Sequence, residues 1–211
     1  MKENRKINRK PVTIKIIERG SEEKTKEVEG ALQKYDIPEM VSEMTGLKWK
    51  KNSIKLQQIE NGANFEKDYI VLINLNMGIY CLSGITHETV HLILRQNNWL
   101  ENEEIHNFVN KYPEMKKYPK DREGYPLEQM IAYLIMEDIS KPIGKKEGLE
   151  KLAETGGHGS FEKILEREFG TETKEKIGKM IIEKWPEHKN YSNVIEWLES
   201  IIKQFEERNK V

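Results

Sequence analysis

The sequence predicts an α+β fold, with a mixed sheet and helices in the N-terminal half and only helices in the C-terminal half. Runs rich in β-branched and other apolar residues, Val12–Ile17 and Tyr69–Leu75, both fall in the first half and favour strands. After Asn98 the apolar residues recur at helical spacing, and no further strand is indicated. This shift predicts an N-terminal lobe over residues 1–98 and a helical lobe over residues 99–211, which together form one unit.

The N-terminal lobe combines apolar runs with short helical patterns. Val12–Ile17 alternates, which predicts a strand. Tyr69–Leu75 is apolar on both faces up to Asn74, so this strand is expected in or near the centre of the sheet, or under a helix. The other elements expected in this lobe are a helix over Ser21–Lys34 capped by Ser21, a short helix from Pro38 to Gly46, a strand or hairpin over Leu47–Ile59, a turn at Asn61-Gly62 and a loop over Asn76–Gly84.

The C-terminal lobe is expected to be a set of helices joined by polar loops. Pro126 suits the first turn of a helix, and the apolar residues that follow it up to Ile135 repeat at helical spacing. The helices expected here are Glu101–Tyr112, Leu127–Ile139, Lys146–Glu154, Phe161–Phe169, Lys174–Trp185 and Ser192–Glu207.

Charge and composition argue against two classes of function. The chain has 35 Lys and Arg residues against 36 Asp and Glu residues, a net charge of -1, with the two signs interspersed. A nucleic-acid binder shows a one-sided basic field instead. No stretch is long and apolar enough to cross a membrane, and the N-terminus has no apolar signal core, so we expect a cytoplasmic protein. The single cysteine, Cys81, is expected to be a small buried residue.

One motif carries recognisable chemistry: His87, Glu88 and His91 spell H-E-x-x-H within Ile85–Arg95. On a helix, positions four apart lie on one face, so both imidazoles can point at a single metal ion. Glu88 borders the same face and can reach a water bound to that metal. The motif therefore predicts two zinc ligands and a general base on one helical turn.

The alternative is an ordinary surface helix with two solvated histidines. The setting argues against it, because Val90, Leu92, Ile93 and Leu94 surround the polar residues and Ile85 precedes them. Such a helix should be largely buried, and buried histidines need partners. A metal site is therefore the favoured interpretation.

A catalytic zinc usually has three protein ligands and a water, so a third ligand is needed. The close pattern H-E-x-x-H-x-x-G-x-x-H is absent, because Leu94 and Asn97 stand where its Gly and third His would be. Glu128 is the predicted third ligand, since it lies in the first turn of an apolar helix, where a carboxylate should otherwise prefer solvent. The alternative is a Glu that merely favours a helix N-terminus. Weaker candidates are Glu123, His106, His158, Glu137 and Asp138.

These residues resemble the gluzincin clan of zinc metallopeptidases, in which H-E-x-x-H is followed by a ligand Glu on a later helix. The similarity covers Tyr69–Ile139, a third of the chain, and the minigluzincins and ImmA/IrrE-like peptidases are the groups to compare first. The resemblance implies a zincin-like fold, with a strand along the substrate cleft that Tyr69–Leu75 suits. Ala132 departs from the pattern, because many gluzincins carry an Asp there to orient the first His. The partner that orients His87 and the subfamily therefore stay open.

The resemblance implies a zinc-dependent endopeptidase or aminopeptidase acting on a peptide or protein substrate. Zinc would activate a water and polarise the peptide carbonyl, and Glu88 would take the proton and pass it to the departing amine. Tyr133, Tyr125 and His158 are candidates for stabilising the oxyanion. Tyr133 and His158 are the predicted catalytic residues of this group. The alternative for Tyr133 is core packing, and the alternative for His158 is a place in a glycine-rich linker.

A second hypothesis is a metal-bearing regulatory or toxin-like module, which cuts a single protein partner or only binds it. Glu88 favours catalysis, because a structural zinc site has no use for a base, whereas Ala132 weakly favours the second hypothesis. A third hypothesis is a helical interaction protein in which the motif arises by chance. Measurement of the metal content would distinguish it from the first two. Neither cleavage preference nor oligomeric state follows from the sequence.

Overall fold

A computed structural model describes residues 11–60, 63–66, 70–116, 124–149 and 172–209. The described chain has an α+β fold, as the sequence predicts. Its strands are β1 Thr13–Ile16, β2 Ser53–Gln58, β3 Ala63–Glu66 and β4 Ile70–Ile73. Its α-helices are α1 Glu22–Lys34, α2 Ile37–Thr45, α3 Leu82–Gln96, α4 Glu103–Lys111, α5 Tyr125–Glu147, α6 Glu172–Lys184 and α7 Val194–Arg208.

The sheet is mixed, with strand order β1-β2-β4-β3. β2 runs parallel to both β1 and β4, whereas β3 pairs antiparallel with β4. The interior place of β4 confirms the prediction for Tyr69–Leu75, and its side chains Val71 and Ile73 are buried beside Ile54 and Leu56 of β2. Apolar residues on alternate positions of neighbouring strands thus form the sheet's share of the core.

The sequence analysis misses one strand of this lobe, β3. Four residues that include Asn64 and Glu66 carry too weak a pattern, and the strand is defined by its pairing with β4. Leu47–Ile59 was predicted as a strand or a hairpin, and the strand is confirmed, because β2 pairs with β1 and β4. The predicted turn at Asn61-Gly62 lies outside the described residues.

β4 is connected to α3 by ordered structure where the sequence predicts a loop. A 3-10 helix spans Leu75–Cys81, and the Asn74 side chain accepts a hydrogen bond from the Asn76 amide at 3.1 Å to begin it. Gly78 has φ 59°, a left-handed value that favours glycine, and it kinks this segment. Cys81 is 1% exposed at the start of α3, as expected of a small buried residue.

α3 and α5 pack against each other and form the centre of the molecule. α5 is longer than predicted: it continues through Pro142 to Glu147 and ends at Gly148, which has φ 66°. Ile139 and Ile143 on either side of the proline are buried, so packing outweighs the hydrogen bond that proline removes. The predicted helix Lys146–Glu154 therefore begins inside α5, and its later residues lie outside the described ones.

The other described helices lie close to their predicted positions, and Phe161–Phe169 lies outside the described residues. α7 packs on α4 and α6. Its contact with α4 includes Phe108 and Phe205, whose ring centroids are 5.6 Å apart. The contact of α3 with α5 crosses the predicted lobe boundary at residue 98, and the division into lobes stays a prediction. None of the described helices combines the length and apolar character needed to cross a bilayer.

Candidate metal centre

α3 carries the H-E-x-x-H residues in an enclosed position. Its turns are buried on nearly every side, so His87, Glu88 and His91 are only 8%, 6% and 1% exposed. The helix was predicted to be largely buried, and the structure confirms it. His87, His91 and Arg95 follow one another at intervals of four, which places them on one helical face.

The two histidine rings face each other through the nitrogens suited to metal binding. His91 Nε2 lies 3.1 Å from His87 Nε2, and the rings meet edge to face, with centroids 4.8 Å apart. Two nitrogen ligands of one tetrahedral zinc, with bonds of about 2.0–2.1 Å, lie roughly 3.3 Å apart. The separation fits either an N–H of one ring that donates to the other ring or a metal ion bound by both nitrogens. The two imidazoles therefore fit a shared metal ion.

Glu128 approaches His91 from the opposite side of the ring. It lies in the first turn of α5, as predicted, and its Oε1 is 3.0 Å from His91 Nδ1. Arg95 donates from Nε to Oε1 at 3.0 Å and from Nη2 to Oε2 at 3.1 Å. Burial raises the pKa of Glu128, but the interactions of its carboxyl with His91 and Arg95 outweigh that effect and hold the pKa below its ordinary value.

Tyr133 lies against the other histidine. Its ring centroid is 4.6 Å from that of His87, at a tilt of 51°, and the side chain is 6% exposed. Glu128 therefore contacts His91, and Tyr133 contacts His87. Because the order is reversed between the two helices, α5 runs antiparallel to α3 across the site. Ala132 is buried and carries no polar group to orient His87. The proposed role of Tyr133 at an oxyanion stays a prediction.

The weaker ligand candidates have other surroundings where the structure describes them. His106 is exposed on α4, Glu137 pairs with Lys141, and Asp138 accepts a hydrogen bond from the Trp185 indole at 2.9 Å. These contacts with Lys141 and Trp185 indicate structural roles for the two carboxylates. The predicted residues outside the described side chains are Glu123, Tyr125 and His158.

Within the described ranges, no three His, Cys, Asp or Glu side chains gather as a ready set of metal ligands. Glu128 as the third ligand therefore stays a prediction, as does His158 as a catalytic residue.

Arg95 is the residue of this centre that the sequence reasoning missed. Its spacing of four from His91 was a usable signal, since positions four apart share a helical face. An Arg near the end of a helix is usually explained by the negative C-terminal end and by solvent. Here the side chain is 36% exposed while its guanidinium binds a buried carboxylate.

Comparisons of this chain with protein-family models, with curated proteins and with solved structures each found no match. The residues of the α3–α5 contact are therefore the basis for assigning a function.

Proposed function

We propose that this chain is a zinc-dependent metallopeptidase with a zincin-like fold. The observation that carries the proposal is the 3.1 Å approach of the two Nε2 atoms of His87 and His91, with Glu88 beside them on a buried helix. This spacing suits two ligands of one metal ion, and a neighbouring carboxylate suits a general base. Glu88 has no comparable use in a purely structural zinc site.

Each residue of the centre has a defined part in this proposal. His87 and His91 would hold the ion through Nε2, and Glu128 is the carboxylate in contact with His91. A bound zinc would acidify a water and polarise the peptide carbonyl. Glu88 would accept the proton of that water and return it to the leaving amine. Tyr133, packed on His87, is the predicted oxyanion donor.

Substitution of Glu88 by Gln tests the proposal directly. Gln keeps the shape of the side chain but does not accept the proton, so we expect the variant to bind zinc like the wild type and to hydrolyse peptides about 10²–10⁴-fold more slowly. Zinc content and cleavage of a peptide library measure the two quantities. A variant that binds zinc and cleaves at the wild-type rate would contradict the role of Glu88.

One observation favours the second candidate, a metal-binding module that is restricted to one protein partner or is inactive. Arg95 makes a two-point contact with Glu128, so the carboxylate predicted as a ligand is already neutralised by a fixed cation. Cleavage of many unrelated peptides supports the general peptidase. Stoichiometric zinc binding without cleavage of any library peptide supports the restricted module.

A further inference from the structure

Arg95, Glu128 and His91 form a connected set across the α3–α5 contact. Arg95 uses Nε and Nη2 to hold both oxygens of Glu128, at 3.0 and 3.1 Å. Oε1 of the same carboxylate lies 3.0 Å from Nδ1 of His91. Glu128 and His91 are each 1% exposed, so their mutual arrangement is fixed by protein groups.

The carboxylate lies at the nitrogen of His91 that does not face His87. The two nitrogens of an imidazole point in strongly divergent directions, and the hydrogen bond at one determines the chemistry of the other. The negative charge of the Glu128 oxygen 3.0 Å away favours a proton on Nδ1, and a proton there leaves Nε2 as a lone-pair donor towards His87. Histidines that bind metals have this arrangement, with the second ring N–H donated to a carboxylate.

The pairing of Arg95 with Glu128 has a physical cause. A carboxylate inside the protein is costly unless it is paired and hydrogen-bonded. The planar guanidinium matches both oxygens at once, and this fixes the direction of the carboxylate as well as its charge. Glu128 is thereby aimed at the Nδ1 side of His91.

We propose that Arg95 and Glu128 are positioning residues: Arg95 orients Glu128, and Glu128 holds His91 with its proton on Nδ1 and its Nε2 facing His87. Glu128 then acts on the ring and not as a metal ligand, so the third protein ligand of the proposed catalytic zinc would have to come from another residue. The consequence for zinc affinity rests on the proposed function, whereas the position of the proton on His91 does not.

The first test is made on the metal-free protein. Nitrogen-15 NMR of the imidazoles reports which ring nitrogen of His91 carries the proton. We expect Nδ1 in the wild type and a mixture of both forms in Arg95→Met. A wild-type protein with the proton on Nε2 would overturn the proposal, whether or not the chain binds zinc.

The second test measures the zinc dissociation constant by competition with a chelator in four variants. We expect Arg95→Met to bind zinc about 10–100-fold more weakly, and Arg95→Lys to recover part of the loss because it restores the charge without the two-point contact. Glu128→Gln should stay within the same range, since the oxygen of its amide keeps a partial negative charge beside Nδ1. Arg19→Met is the matched control: it removes an Arg from an exposed ion pair with Glu29 and should leave affinity unchanged.

The outcomes separate the two roles of Glu128. Complete loss of zinc from a folded Glu128→Gln, with the His91 proton still on Nδ1, would make Glu128 a ligand and overturn the proposal. Wild-type affinity and wild-type NMR signals in Arg95→Met would overturn it as well. Failure of the wild type to bind zinc would refute the proposed function, while the NMR test would still decide the positioning role. Circular dichroism establishes that each variant is folded.

Discussion

Tyr133 is a side chain for which packing and catalysis predict different results. Its ring lies 4.6 Å from the ring of His87, so the ring itself contributes to the walls of the centre. Substitution by Phe keeps that ring and removes the hydroxyl. If the hydroxyl stabilises the oxyanion, kcat should fall by about 10²–10³-fold while zinc affinity is unchanged.

The matched control for this prediction is Tyr112→Phe. The Tyr112 ring packs on Phe108, with centroids 4.7 Å apart, in the aromatic cluster between α4 and α7. This variant should keep full activity. Equal kcat values for Tyr133→Phe and the wild type would restrict Tyr133 to packing.

Cys81 is expected to be chemically inert in the native protein. Burial raises the pKa of its thiol to about 12, and only the thiolate reacts with alkylating agents. Alkylation by iodoacetamide at pH 8 should therefore be on the order of 1,000-fold slower in the native than in the unfolded chain. Equal rates in the two states would show that the thiol is accessible.

The same raised pKa of Cys81 predicts how stability depends on pH. The thiol ionises near its ordinary value of 9.0 in the unfolded chain but near 12 in the folded one. Its contribution is therefore fully present below pH 9 and is lost as the pH rises towards 12. Urea unfolding of the wild type and Cys81→Ala should show a constant difference up to pH 9 and a shrinking one above it. A difference that stays constant to pH 11 would contradict this assignment.

Among the helices, substitution of three glycines distinguishes the cost of backbone strain from the cost of steric contact. Gly46 ends α2 with φ 66°, and a Cβ there would meet the backbone carbonyl of Ser192. Gly148 ends α5 with the same φ, but a Cβ there would meet none of the described residues within 4 Å. Gly30 lies inside α1, and a Cβ there would likewise meet no atom of the described chain within 4 Å.

Alanine at these positions should give a graded series of unfolding free energies in urea. Gly30→Ala should be stabilising by about 0.5–1 kcal/mol, because glycine weakens a helix interior. Gly148→Ala should cost about 1–2 kcal/mol from the left-handed backbone alone. Gly46→Ala should cost more than Gly148→Ala, since α2 must also move away from Ser192. Equal costs at positions 46 and 148 would mean that the Ser192 contact relaxes freely.

Elements with strong periodicity could be predicted from the sequence, and the errors have physical causes. β4 is predicted because Ile70–Ile73 is continuously apolar. β3 is defined by pairing with β4, which no local pattern reports. The extension of α5 through Pro142 depends on burial of Ile139 and Ile143 against other parts of the fold, and local propensity gives way to such packing.

Part of the candidate centre could be predicted from the sequence, and part of it could not. His87, Glu88 and His91 form a motif within one turn, so their common placement follows from helical spacing. Glu128 was predicted from its apolar surroundings, but the nitrogen of His91 that it would meet was not. That detail depends on how α5 lies against α3, and on Arg95, whose guanidinium fixes the carboxylate.

At the scale of the whole molecule, the centre joins the two predicted lobes. α3 belongs to the N-terminal lobe and α5 to the helical lobe, and the contacts of Glu128 and Tyr133 with the two histidines cross between them. A ligand that binds only this assembled arrangement stabilises the folded chain as a whole. Zinc at 100 times its dissociation constant should raise the free energy of unfolding by about 2.7 kcal/mol.

Zinc binding to the folded chain determines whether His87 and His91 share one metal ion. Isothermal titration of the metal-free protein, with elemental analysis of the product, should give one zinc per chain in the wild type and in Glu88→Gln. His91→Gln should lose that site. A folded wild type that takes up no zinc, or a folded His91→Gln that binds it equally well, would contradict the account.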